Sequence, residues 1–236
     1  GGHTLLPTMK QRLAGPKTIV DLGHVAELKG ITKSGNALVI GAMTTHAEVA
    51  GSEVVRGAIP NLARLATMIG DAHVRHRGTI GGSVANNDPA ADYPAAVLAL
   101  NATVVTNKRE IKADDFFKGL FSTALQDGEI ITRLSFPIPG KFGYAKFAQP
   151  ASLFALVGVA VAQTGSSARV AVTGAGSSGV FRQTAMEGAL GKGWSAQSLA
   201  GIATDAGKMM SDIHGDSAYR AHLVGVMAKR AVAQAG

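Results

Sequence analysis

Apolar and polar positions divide the chain into short elements. Residues 19–22 and 37–42 read as strands, with Thr32-Lys33-Ser34-Gly35-Asn36 as the turn leading into the second. Thr44 or Thr45 is placed to cap a short helix over residues 46–49. Within residues 60–69, Leu62, Leu65, Ala66 and Ile69 recur at helical spacing and share one face. Residues 93–100 read as a further helix. Residues 103–106 and 130–136 read as strands, the second ended by Pro137 and Pro139. That proline pair marks a boundary, giving domains over 1–138 and 139–236. Beyond it, residues 142–148, 157–163 and 169–173 have strand character, and residues 195–206 and 218–235 are mostly helical. Strands followed by helices, without steady βαβ alternation, predict an α+β fold.

Composition narrows the class. The 236 residues suffice for one large or two small domains, and 46% hydrophobic with 17% charged residues describes an ordinary globular chain. The longest apolar stretch, residues 153–161, falls well short of the ~20 residues a membrane-spanning helix needs. No signal peptide is evident, and a cytoplasmic location is expected. Zero cysteines exclude disulfides and thiolate-held iron–sulfur clusters in this chain. The net charge of +7 raises nucleic acid as a partner. Basic residues are scattered, however, with Arg75-His76-Arg77 as the one local cluster, and aromatics make up 5%. No cation–aromatic stacking platform emerges, so no nucleic-acid partner is expected. Excess positive charge equally suits anionic cofactors and acidic partner surfaces.

Two glycine segments carry the candidate chemistry. Residues 78–92 begin with Gly78-Thr79-Ile80-Gly81-Gly82-Ser83 and end on Asp92 before an apolar run. Read alone, they form a small-residue turn whose freed backbone N–H groups make a concave anion site. Asp92 stands ten residues past Gly82, available to accept from a ribose hydroxyl. The second segment, Gly1-Gly2-His3-Thr4-Leu5-Leu6-Pro7, reads as a loop entering a short helix with Thr4 as N-cap, again a phosphate-suited start. A competing motif, Gly174-Ala175-Gly176-Ser177-Ser178-Gly179, satisfies G-x-G-x-x-G after a strand. It lacks a following β-rich run and an acid some 20 residues on, so it reads as a glycine-rich turn between strand and helix. His73 and His76 have no third ligand nearby, and no Gly-x-Ser-x-Gly elbow exists; metal and hydrolase sites are not expected.

Together the two segments resemble the paired flavin motifs of the FAD-binding medium subunit of molybdenum hydroxylases, the family of aerobic carbon monoxide dehydrogenase and xanthine dehydrogenase. Gly1–Pro7 match the first motif without its leading Ala, and Thr79–Ser83 match the second throughout; Asp88-Pro89-Ala90-Ala91-Asp92-Tyr93-Pro94 continues the likeness. The resemblance runs to Gly236. It implies a two-part FAD domain followed by a smaller α+β domain, with a few dozen N-terminal residues of the family pattern missing here. By the same resemblance, Gly1, Gly2, His3, Thr4, Leu5, Thr79, Ile80, Gly81, Gly82 and Ser83 hold FAD. Asp92 binds the adenosine ribose, Lys146 lies near the cofactor, and Phe154 covers the isoalloxazine where relatives place a tyrosine.

The implied function is electron transfer. FAD would take electrons from two [2Fe–2S] clusters of a small partner subunit, downstream of a molybdopterin centre in a large one. It would pass them to an external acceptor, the assembly being a dimer of heterotrimers. Substrate chemistry then lies on another chain. Two other readings stand: a free-standing flavin oxidase of the related two-domain type, with FAD attached through His3, and a flavin-free binding or scaffold module.

Overall fold

The computed structural model describes residues 1–235; Gly236, the last residue of the expected second domain, lies outside them. The chain begins with α1 (Leu5–Lys10), β1 (Ile31–Ser34) and β2 (Ala37–Gly41). Helices α2 (His46–Gly51), α3 (Glu53–Ala58), α4 (Pro60–Thr67), α5 (Ala72–Arg77), α6 (Ile80–Asn86) and α7 (Tyr93–Ala99) follow. Next come β3 (Thr103–Thr106), β4 (Glu110–Lys112), α8 (Ala113–Phe116), β5 (Phe117–Gly119), β6 (Ser122–Thr123) and β7 (Ile131–Pro137). The remainder is β8 (Lys141–Ala148), β9 (Ala155–Thr164), β10 (Ser167–Thr173), β11 (Phe181–Arg182), α9 (Thr184–Lys192) and α10 (Ser217–Gln234).

Two antiparallel sheets organise these elements into an α+β fold. The first has order β1-β2-β7-β3-β4, the second β11-β10-β9-β8. Leu38, Ile40, Leu134 and Phe136 of the first sheet are fully buried with Leu62, Leu65 and Ala66 of α4, the face expected from their spacing. The second core joins Val157, Val159 and Val161 of β9 to Leu223, Val224 and Met227 of α10. Helix α7, apolar on every side and buried along its whole length, fills the space between the sheets. Polar ties cross as well: Asn61 Nδ2 donates to the Phe142 and Gln234 carbonyls at 2.7 and 3.0 Å, and Thr173 Oγ1 donates to the Ala91 carbonyl at 2.7 Å.

Several expectations need correction. Residues 19–22 are no strand: Ile19 and Val20 are exposed and have no ladder partner, and a strand exists only through its neighbour. Residues 195–206 form only a short 3₁₀ turn, Gln197–Leu199; Ser195 and Ser198 bond each other's side chains, and Gly201 takes φ +74. The 174–179 segment does not lead directly to a helix, because β11 intervenes before α9. Its strand β10 runs antiparallel to β9, which leaves no βαβ unit. Gly174, at φ +80, donates its N–H to the Pro89 carbonyl, and any Cβ there would strike the Ala155 carbonyl, so the glycine serves close packing. No helix among the described residues is long and apolar enough to cross a membrane, and no cluster of three metal-ligating side chains exists among them.

Candidate functional site

The second glycine motif is a helix start, not a turn. Thr79 is the N-cap of α6, its Oγ1 accepting from Gly82 N at 3.2 Å. The amides of the first turn of α6, residues 80–83, are already committed. Ile80 N donates to Thr44 O at 3.0 Å, Gly81 N to Ala42 O at 2.9 Å and Ser83 N to Thr79 O at 3.0 Å. The two glycines therefore do different work. Gly81 is buried against Ala42, where any Cβ would collide with the alanine's own Cβ, Cα and carbonyl. Gly82 is exposed, and a Cβ on it would meet only Thr79 Oγ1, at 2.8 Å. One glycine seats the helix on the end of β2; the other keeps a wall bare.

That wall belongs to a cleft of about 700 Å³, within the range of cofactor pockets. Gly1, Gly2, His3, Thr4, Leu5, Thr79, Gly82, Ser83, Asp92 and Phe154 all line it. Residues 1–5 and residues 79–83 thus contribute to one site. In the first motif, Gly2 sits at φ +86 and Thr4 occupies the N-cap position of α1 without any side-chain capping bond. Thr4 was expected to cap; its hydroxyl is instead left for the cleft. Ile80 and Gly81 stand behind the wall in the core and do not line it.

Asp92 and Lys146 form a buried ion pair at 3.0 Å, each side chain 4% exposed. Tyr144 Oη also donates to Asp92 Oδ1. Burial pushes the Asp92 carboxyl up, against the opposing pull of Lys146 and the tyrosine hydroxyl. Lys146 spends its three donors on Asp92, Met68 O at 2.6 Å and Leu153 O at 2.9 Å. It is not among the residues lining the cleft, and its three bonds brace the lining residues Asp92 and Leu153 from behind. It ties the end of α4 and the 149–154 loop to Asp92. Leu153 holds φ +60, and Phe154 is 48% exposed at the cleft mouth rather than in the core.

Other lining residues escaped the sequence reading. His46, the first residue of α2, is 4% exposed and forms part of the wall. Its helix is fixed by a full capping box between Thr45 and Glu48, and Thr45 bridges Thr79. The usable signal was its place directly after the core strand β2, at the sheet edge where α6 also starts. Gly70 and Ser152 line the cleft too, with no motif to flag them, as does Gly78 at the head of the second glycine segment.

Burial first, then the positive charge of His3 and Arg75, lowers the His46 pKa from 6.5 to about 4. Between those values the unfolded chain binds the extra proton, so stability rises with pH. Acidifying from pH 8 to 5.5 should therefore cost about 1 kcal/mol through this ring, with more lost towards pH 4. Urea unfolding at both pH values checks this; the slope should flatten in His46→Leu.

The comparisons accord with this geometry. Residues 1–139 match the FAD binding domain in molybdopterin dehydrogenase, and residues 142–235 match the CO dehydrogenase flavoprotein C-terminal domain. The chain belongs to this family. It is 34% identical to the carbon monoxide dehydrogenase medium chain of Hydrogenophaga pseudoflava, over 98% of this chain and 86% of that one. Identity is 36% to the nicotine 6-hydroxylase medium subunit of Paenarthrobacter nicotinovorans, over 100% and 88%. A solved structure of reconstituted CO dehydrogenase from Oligotropha carboxidovorans superposes with TM-score 0.89 at 31% identity, covering 99% of this chain and 87% of that one. The chain is thus an FAD-binding medium subunit of a molybdenum-containing oxidoreductase.

Proposed function

We propose that this subunit carries electrons through an FAD held in the cleft between the two glycine motifs. Its supply would be the [2Fe–2S] clusters of a small partner subunit, its outlet an external acceptor. A large molybdenum-binding subunit would complete a cytoplasmic dimer of heterotrimers. The division between FAD domain and C-terminal domain falls at the proline pair, 138/139. The observation that carries the reading is convergence: both motifs, far apart in sequence, line one cleft of cofactor size. FAD, when bound, supplies the redox chemistry; the protein supplies position and electrostatics.

The chain's own residues divide that task. Around α1, the Gly2–Thr4 backbone and the Thr4 hydroxyl face the diphosphate. The α6 wall contributes the bare face of Gly82 with the Thr79 and Ser83 hydroxyls, since its amides are committed. Phe154 covers the isoalloxazine. Asp92 reaches the carbonyl of neighbouring Leu153 through Lys146. Braced in this way, Asp92 would accept from a hydroxyl of the adenosine ribose.

Gly82→Trp places an indole in the cleft without touching the core. The full-length wild-type protein should take up FAD and show flavin absorbance, and the variant should lose uptake with an unchanged circular dichroism spectrum. A folded wild-type protein that cannot bind FAD would instead support a scaffold module. Flavin that stays attached after denaturation would support covalent attachment through His3.

A further inference from the structure

We propose that His46 is a direct ligand of the bound dinucleotide, its imidazole hydrogen-bonding the phosphate–sugar chain where the two glycine motifs meet. The inference rests on the FAD reading above. The ring sits between the motifs. From one side, His46 N donates to the Gly78 carbonyl at 3.0 Å, and its Nε2 lies 2.5 Å from where a Cβ on Gly78 would stand. On the other, His3 of the first motif lines the same cleft. His46 also lines the cleft wall.

Its surroundings leave the imidazole unsatisfied. The residue is 96% buried, and Nδ1 has no hydrogen-bond partner. Tyr93 packs at 5.3 Å between ring centroids, tilted by 47°, yet its hydroxyl is also unpartnered, so the two do not bond each other. A buried polar atom without a partner costs ~1–3 kcal/mol, and an apolar side chain of similar volume would avoid that cost. Nδ1 is also closed to water, so Nε2, which has no protein partner either, is the nitrogen open to a ligand in the cleft. A neutral imidazole carries one donor and one acceptor, which suits a ligand of phosphate oxygens and hydroxyls.

The two roles open to His46 predict opposite outcomes. The full chain is stripped of FAD and titrated with it, flavin fluorescence giving Kd, while the melting temperature of the FAD-free form is read in parallel. His46→Leu should weaken FAD by about tenfold or more, the worth of one such bond. Its FAD-free form should melt no lower than wild type, because an unsatisfied polar atom has been removed. Asn mimics Nδ1 and Gln mimics Nε2, so His46→Asn or His46→Gln should recover most of the affinity and identify the bonding nitrogen. Unchanged affinity in His46→Leu overturns the inference. So does a loss that neither amide recovers, or a parallel fall in the melting temperature, since each marks a packing role. If wild type takes up no FAD, the functional reading itself fails and this inference falls with it.

Discussion

Replacing Lys146 with methionine should destabilise the protein by about 3–5 kcal/mol, because it strands a carboxylate in the core. Asp92 and Lys146 are each 4% exposed, so water replaces the lost ammonium only in small part, from the cleft side. The double substitution Lys146→Met with Asp92→Asn removes both charges and should recover most of the stability, since a neutral buried pair owes no charge desolvation. Burial already pushes the Asp92 carboxyl up, and losing Lys146 raises it further. The folded single variant then binds a proton that the unfolded chain releases above about pH 4, so its defect should grow as pH rises from there. Urea unfolding of the two variants at pH 4.5 and 8 measures all of this. Equal stability of single and double variants would show that the pair is not coupled. Because Lys146 also holds Leu153, the single variant should loosen the loop carrying Phe154 and lower FAD affinity alongside stability.

Gly81→Val should be at least as damaging, at about 3 kcal/mol or more, whereas its neighbour accepts a tryptophan. A Cβ on Gly81 meets Ala42 backbone as well as side chain, and backbone cannot rotate away. Relief requires α6 to move off β2, which breaks the Gly81 N to Ala42 O and Ile80 N to Thr44 O bonds together. Thermal melts of Gly81→Val and Gly82→Trp separate the two glycines. The first should melt well below wild type and the second near it, while both lose FAD for different reasons. A Gly81→Val protein with wild-type melting and FAD binding would refute the seating role.

Much of the architecture was legible in local pattern. Leu62, Leu65 and Ala66 lie on the buried face of α4 because spacing of three and four residues puts them there. Thr45 caps α2 as a short polar side chain can. The misses have equally physical causes. Residues 19–22 have strand-like letters, but no neighbouring backbone pairs with them. In α9, Gly188 and Gly191 weaken the helical signal, yet burial of Met186 and Leu190 against the second sheet holds it.

By itself the sequence determined the class of the protein. The two glycine motifs resemble the paired flavin motifs of the molybdenum hydroxylases, and that resemblance implied an FAD subunit; the lack of cysteine excluded a thiolate-held cluster from this chain, and the proline pair marked a boundary. Those features are local, set by residue type and nearest-neighbour geometry. Only the tertiary structure decided which side chains line the cleft. It sent Gly81 to packing and Gly82 to the cleft, tied Lys146 to Asp92 and two carbonyls, and set His46 with an unpartnered Nδ1 between the motifs. Each of those roles depends on which distant backbone or charge lies within about 3 Å, and spacing along a chain carries no record of that.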